Sequence, residues 1–424
     1  MPWRFLYRFL IFPIGWIVFL TAGLFDEKVR RGIRGRKKLF KELNHIRVNR
    51  KSSNKRIWFH SSSMGEFEQA KPIITELKKR YPDVEIIVTF FSPSGYEHCR
   101  SYKLANFITY IPFDFSGDAR KFIECIQPAA AVMVRYDVWP NHLWELNRLG
   151  IPIFIANATL RENSPRKFLV IKQFHRQLYD MIDYILTVSQ ADKKVFESFG
   201  LTRPVLEVIG DTRYDQVWQR SVESKSRHLL PTQVIADKKV LVVGSIWQED
   251  EKNLLPAISR LAKDRKQLLV VVVPHEPNLE TLERLENELD GHVTSIRFSN
   301  LNDYQGEQLI VVDSVGILMS LYQYGLVAYV GGSFKQGVHN VLEPAVYGIP
   351  IIIGPKYENS REAIQLIEDG AAFVGRNEEE LFMHLQSQFN NEQIRLEAGK
   401  RALQLVERNI GATQMFLSYL EKVL

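Results

Sequence analysis

The residues best placed to do chemistry lie between 330 and 348, where the chain reads V-G-G-S-F-K-Q-G-V-H-N-V-L-E-P-A-V-Y-G. The apolar run 326–330 predicts a buried strand that ends in Gly331 and Gly332. A short polar loop with Gly337 follows, and Asn340, Glu343 and Pro344 then open an apolar helix. Glycines at the carboxyl end of a strand let the backbone approach a ligand closely. The start of a helix points free N–H groups and a partial positive charge at whatever sits there, usually a phosphate. Glu343, next to a proline suited to a first helical turn, is placed to accept hydrogen bonds from the vicinal hydroxyls of a sugar. The pattern predicts a nucleotide pocket; the same residues also suit an ordinary strand-loop-helix whose glycines serve packing.

Other polar clusters recur at expected strand ends. His60-Ser61-Ser62-Ser63-Met64-Gly65-Glu66 leads from a strand into a helix. Glu66 reads either as a general base at the mouth of a cleft or as an acid complementing the first turn of that helix. Arg135-Tyr136-Asp137-Val138-Trp139-Pro140-Asn141 follows the next apolar run, and Asp137 reads either as a charge in the cleft or as a helix-capping turn residue. In Gly210-Asp211-Thr212-Arg213, Arg213 either meets an anion or is a surface cation. Gly244-Ser245, Pro274-His275-Glu276-Pro277 and Asp313-Ser314-Val315-Gly316-Ile317 supply further lips. The chain lacks a P-loop, a G-x-S-x-G elbow, cysteine–histidine metal spacing and aspartates two apart. Metal-free chemistry is therefore expected, with leaving-group charge met by protein cations and a helix terminus.

The elements that must hold these clusters alternate apolar runs with helical stretches. Strands are expected at 56–60, 85–90, 107–111, 130–134, 153–156, 184–188 and 206–209, then at 239–244, 268–273, 309–312, 326–331, 349–353 and 372–374. That alternation predicts an α/β fold of two doubly wound, Rossmann-like halves facing a cleft. Residues 39–218 form the first half, the polar segment 219–238 a connection, and 239–424 the second half. A final helix over about 391–424 is expected to pack across both.

The whole chain of 424 residues has a net charge of +6, but residues 1–38 alone carry nine Lys/Arg and two acids. Their net of +7 leaves −1 for the other 386 residues, which argues against a nucleic-acid partner. Residues 9–25 are free of charge and seven basic residues fall between Lys28 and Lys38. This predicts a membrane anchor, spanning or interfacial, with a basic flank facing anionic lipids and the body on the cytoplasmic side. Cys99 and Cys125, the two cysteines, fit a reducing compartment.

Taken together, the anchor, His-x-x-Ser-x-Gly-Glu, the Trp-Pro-Asn turn, residues 157–164, Gly-Asp-x-Arg, Gly244-Ser245, residues 313–318 and Gly-Gly-Ser…Gly-x-His-Asn-x-Leu-Glu-Pro resemble the 3-deoxy-D-manno-oct-2-ulosonic acid (Kdo) transferases over almost the whole chain. The resemblance implies a glycosyltransferase-B fold, CMP-Kdo as donor, a lipid A precursor as acceptor, no cofactor and an inner-membrane location. It implies Glu66 as proton acceptor, Asp137 as the remaining acid of its turn, and Arg213 in place of a lysine. CMP contacts carry over to Pro274, His275, Val315, Gly316 and Ile317, and to Asn340, Val341, Leu342 and Glu343. The chain departs from the family at Arg135, where an acid is usual, at Glu276, where Pro-Arg-His has become Pro-His-Glu, and at Val338, where a second glycine is usual.

Overall fold

The computed structural model describes residues 2–48, 54–263, 265–288 and 293–424. The chain divides into two compact units, Met1–Gln216 with Ile410–Leu424, and Val217–Asn409.

The first unit is a seven-stranded parallel sheet of β1 (Arg56–Ser61), β2 (Glu85–Phe90), β3 (Phe107–Tyr110), β4 (Ala130–Val134), β5 (Ile153–Ala158), β6 (Tyr184–Thr187) and β7 (Val205–Val208). Its order is β3-β2-β1-β4-β5-β6-β7. The central strands β1 and β4 are buried at every position because helices cover both faces; β4 is apolar throughout, whereas β1 carries an apolar centre, Ile57–Phe59, between Arg56 and the polar pair His60-Ser61. The second unit repeats the plan with β8 (Lys239–Ile246), β9 (Leu268–Pro274), β10 (Ser295–Arg297), β11 (Leu309–Val311), β12 (Val327–Val330), β13 (Ile351–Ile353) and β14 (Ala372–Val374). These lie in the order β10-β11-β9-β8-β12-β13-β14, again all parallel. In each sheet the winding reverses beside the first strand, between β1 and β4 and between β8 and β12. Side by side at such a reversal, the carboxyl ends of neighbouring strands leave a crevice. The expected strands are all present; β10, an edge strand with a single apolar residue, is additional.

Two helical regions differ from expectation. The segment 219–238, expected as a connection, is partly helical: helix Thr212–Ser224 runs into it, burying Val217, Ser221 and Ser224, and helix Thr232–Ile235 follows. The final helix is two, Glu392–Glu407 in the second unit and Ala412–Leu420 in the first. Gly411, at φ 115°, makes the break. Asp215 fixes the new start by accepting from the N–H groups of Gly411 and Thr413 and from the Thr413 hydroxyl at 2.7–2.9 Å.

The amino terminus is helical over Pro2–Phe25, long and apolar enough by length and composition to cross a membrane. It takes a π turn at Tyr7–Ile11, just before Pro13, which has no N–H to donate and whose ring would clash with the carbonyl four residues earlier in a regular α-helix. One side of this helix lies on the first unit. Tyr7 stacks on Phe174 and donates its hydroxyl to the buried Asp114 at 2.8 Å; Arg8 donates to Asn141 at 2.6 Å; Trp16 and Phe19 pack on Phe113. Of the basic flank, Arg36 is withdrawn from solvent. Its guanidinium donates to the carbonyls of Gly32, Phe91 and Ile111 among the rings of Phe91, Tyr110 and Phe113.

Helix Glu392–Glu407 supports the short helix Leu342–Ala345 from behind. A side chain at Gly399 would collide with the Gly348 carbonyl oxygen, whereas one at Gly117 meets open space. Gly399→Ala should therefore cost about 1–3 kcal/mol by overpacking and lower the calorimetric melting temperature by several degrees. Gly117→Ala, on an exposed first turn, should leave it unchanged or slightly raised.

Candidate functional site

At the β1/β4 reversal, Ser63 caps helix Met64–Arg80 and Glu66 folds back onto the loop. The Glu66 carboxylate accepts from the N–H groups of Ser62 and Ser63 at 2.6 and 3.2 Å. The dipole-complementing role is thus real, and it is also what aims the carboxylate at the crevice. Asp137 comes to the same place from the end of β4. Its Oδ2 accepts from the Ser62 hydroxyl, from His60 Nε2 at 2.8 Å and from Trp139 Nε1 at 3.2 Å. Behind it, Trp58 donates to the Thr89 hydroxyl, and that oxygen lies 2.8 Å from His60 Nδ1. Every group is satisfied when Thr89 donates to Nδ1 and the His60 proton sits on Nε2, directed at Asp137.

The two carboxyl groups are driven apart. Burial raises Glu66 above the ordinary glutamate value and the Asp137 charge raises it further, against the Ser62 N–H and the nearby His60 and Arg135. Burial would also raise Asp137, but the hydrogen bonds from His60, Ser62 and Trp139 outweigh it and hold the group below its usual value. One carboxylate stays ionised beside another whose affinity for a proton is increased, the pattern of a fixed charge and an acid–base group.

Arg213 is held within its own segment. Its Nε and Nη2 bond to Asp211 Oδ2 at 2.9 and 2.7 Å, so this cation enters the site already paired. Neighbouring Thr212 is buried in a network in which its hydroxyl donates to the Gln69 carbonyl at 2.6 Å and accepts from Asn157 Nδ2 at 2.7 Å. Asn157 has φ 51° and interrupts the register of β5 with β6 between Ile155 and Ala158. This bulge turns its amide toward the helix behind Glu66. Arg135 is also left-handed, at φ 66°, on the strand end before Asp137.

The second unit shows the same device. Ser245, at φ 53°, shifts the register of β8 with β9 between Gly244 and Ile246. Its carbonyl projects at Gly331, where any side chain would collide with it. Gly332 has φ 91°, and a side chain there would come 2.6 Å from the Gly337 carbonyl and 2.7 Å from the His339 ring. Buried Asp250 holds this glycine turn: its carboxylate accepts from Trp247 N, Gly332 N, Phe334 N and the Tyr329 hydroxyl at 2.8–3.3 Å. Trp247 Nε1 donates to His339 Nε2 at 2.8 Å, and His275 lies flat over both rings, 4.1 and 4.7 Å from their centroids. Burial, with His275 as a second cause, pushes His339 down to about 4. Near neutral pH it is uncharged and carries its proton on Nδ1.

Beside this stack is a cavity of about 300 Å³ lined by Pro274, His275, Val315, Gly316, Asn340, Glu343 and Arg220, among others. Glu343 accepts from Asn340 Nδ2 at 3.2 Å and lies 4.0 Å from the Arg220 guanidinium. Three expected contacts do not line it. Val341 and Leu342 are buried in the core, Ile317 packs on the hydrophobic cluster beneath, and the Leu342 N–H is taken by the Asn340 side chain at 3.2 Å. Helix Leu342–Ala345 has only four residues, so Asn340, Glu343 and Arg220 supply the polar wall. Arg220 has no sequence signal, because it sits in the polar tract read as a connection. Among the described residues no three His, Cys, Asp or Glu side chains converge to hold a metal ion.

Residues 34–216 match the sequence model of the 3-deoxy-D-manno-octulosonic-acid transferase (kdotransferase) family. The 3-deoxy-D-manno-octulosonic acid transferase of Haemophilus influenzae is 26% identical over 100% of this chain and 99% of its own length. That of Chlamydophila psittaci is 30% identical over 74% of this chain and 73% of its own. Among solved structures, UDP-GlcNAc 2-epimerase from Neisseria meningitidis matches with a TM-score of 0.60 at 14% identity, covering 87% of this chain and 100% of that one, a likeness of fold. With its two parallel sheets of glycosyltransferase-B type and these relatives, the chain belongs to the 3-deoxy-D-manno-octulosonic acid transferase family and is a glycosyltransferase acting in lipopolysaccharide synthesis.

Proposed function

We propose that this chain transfers Kdo from CMP-Kdo to a lipid A precursor, with inversion and without a metal, at the cytoplasmic face of the inner membrane. The observation that carries the reading is the buried Glu66 carboxylate, of raised proton affinity, beside an Asp137 held as an anion. Glu66 takes the proton from an acceptor hydroxyl. The hydroxyl oxygen forms a bond to the anomeric carbon of Kdo, and the bond from that carbon to the phosphate oxygen of CMP breaks. A single displacement by one base, with no protein nucleophile, inverts the anomeric centre. Asp137 works at one remove: its charge raises the basicity of Glu66, and His60, Ser62 and Trp139 keep it charged. In the second unit, Asn340 and Glu343 suit the ribose and sugar hydroxyls, and Arg220 suits the phosphate. CMP leaves as a monophosphate, so its charge asks less of a divalent ion than a diphosphate would.

Glu66→Gln should lower transfer by roughly 10²–10⁴-fold while leaving CMP binding intact. A raised folded-state value means that Glu66 favours the fold most when protonated, at low pH, and that this contribution fades as pH rises through its folded value. Glutamine keeps the acceptor for the Ser62 N–H without the buried charge, so the melting temperature at neutral pH should hold or rise. In the wild-type pH–rate profile the acid limb should lie above the ordinary glutamate value. Asp137→Asn should move that limb to lower pH; an unmoved limb would assign the base elsewhere.

Asn340→Ala and Glu343→Ala should each weaken CMP binding by about 1–3 kcal/mol in calorimetric titration. Because the two side chains bond to each other, the double variant should lose less than the sum of the single losses. Unchanged affinity in both would move the nucleotide away from this cavity.

Transfer should survive exhaustive EDTA treatment. Loss of activity that magnesium or manganese restores would overturn the metal-free reading.

A further inference from the structure

The first unit carries a second apolar surface, apart from the amino-terminal helix and continuous with it. After β5, Ser164 caps a short 3₁₀ turn, Pro165–Lys167, and helix Leu169–Tyr179 follows. One side of this helix is fixed in the core by Leu178 and Tyr179, both fully buried. Its start is exposed and apolar: Phe168 is 66% accessible, Val170 65% and Ile171 42%. Arg166, Lys167, Lys172 and Arg176 stand among these residues. Phe174, one turn on from Val170, is the contact point for the amino-terminal helix through the rings of Trp3 and Tyr7, each 5.8 Å away.

The amino-terminal helix lies along the same unit from Trp3 to Phe19 and turns its other side outward. Phe5, Phe9, Ile14, Ile17, Val18, Leu24 and Phe25 are all more than half exposed. A helix that is apolar nearly all round, with one side occupied by protein, needs hydrocarbon on the other. Two neighbouring segments then expose apolar residues together, with cations among them, which is the composition of an interfacial membrane element.

We propose that helix Leu169–Tyr179 inserts its exposed start into the bilayer beside an amino-terminal helix that lies in the interface, giving the first unit a one-leaflet membrane face. The occupant is a lipid bilayer with anionic head groups. This deepens the reading of a lipid acceptor, because the inserted turn is tied to the acid site. Arg166 donates to the Tyr136 carbonyl at 3.2 Å, and its guanidinium lies over the Tyr136 ring at 5.0 Å, one residue before Asp137.

The test uses the full chain with an environment-sensitive fluorophore on a cysteine at Val170→Cys or, as control, at Asp83→Cys, an exposed turn at the amino end of the sheet. Native Cys99 and Cys125 are buried, so labelling goes to the introduced thiol. On the vesicle-bound fraction, with anionic lipids carrying brominated acyl chains, the probe at 170 should shift to the blue. It should lose about two-fold of its emission, as a group roughly 5–10 Å below the surface would; the probe at 83 should do neither. An unquenched probe at 170 would overturn the proposal and leave this face to a protein partner or a second copy. The readout needs no activity, so it stands even if the acceptor proves not to be a lipid A precursor.

Discussion

Asp137 has to remain an anion at a largely enclosed strand end, and much of the first unit follows from that requirement. Among the described residues no Lys or Arg pairs with its carboxylate; three donors hold it, from His60, Ser62 and Trp139. Each donor needs its own support. Thr89 on β2 orients His60, Trp58 on β1 orients Thr89, and Phe91 packs on Trp139 with ring centroids 5.0 Å apart. Removing one donor leaves a buried charge short of a partner, at about 1–3 kcal/mol or more. The charge kept there adds to burial, the larger cause, in raising Glu66. A bidentate arginine on Asp137 would neutralise that charge and leave Glu66 with a lower proton affinity.

The second unit follows the opposite rule and keeps its buried rings neutral. His339 is held uncharged by burial and by accepting from Trp247, so the wall beside the cavity is a flat, uncharged stack. Asp250 is the buried carboxyl here, raised above its usual value by burial despite four donors from the glycine turn, Trp247 and Tyr329. Positive charge beside the cavity comes from Arg220 at the rim, with Lys335 Nζ 3.8 Å from the Trp247 ring centroid on the stack. The turn therefore depends on glycine for clearance: Gly331 because Ser245 bulges toward it, and Gly332 because the His339 ring lies where a side chain would be.

The fold class and the placement of polar clusters at strand ends were legible from apolar spacing, since parallel strands buried on both faces leave long hydrophobic runs. Glu66, Asp137 and the glycine turn were visible for the same reason. What stayed hidden depends on backbone conformations that residue types do not announce. Asn157, Ser245 and Arg135 adopt left-handed φ values that glycine would advertise and these residues conceal. Arg220 lay in a polar tract whose helical face shows only once Val217, Ser221 and Ser224 are known to be buried. Val341 and Leu342 were carried into the site by the motif around them, although their side chains belong to the core.

The apolar amino-terminal helix and the acid site are parts of one mechanical body. Asp114, fully buried, accepts from the Tyr7 hydroxyl on one side and from the N–H groups of Asn141 and His142 on the other, with His142 Nδ1 at 2.7 Å. Those two residues open the helix that begins directly after Trp139. A single carboxylate thus joins the amino-terminal helix to the turn that carries Asp137, and Arg8 repeats the link through Asn141. Replacing such a carboxylate by an apolar group would strand several buried donors at once, so the connection is stiff. A flexible tether would raise the local concentration of a lipid substrate without fixing its depth. In the transfer proposed above, a stiff one sets the height of Glu66 above the lipid surface, and a sugar hydroxyl on a lipid that stays in its leaflet reaches it without lifting its acyl chains into water.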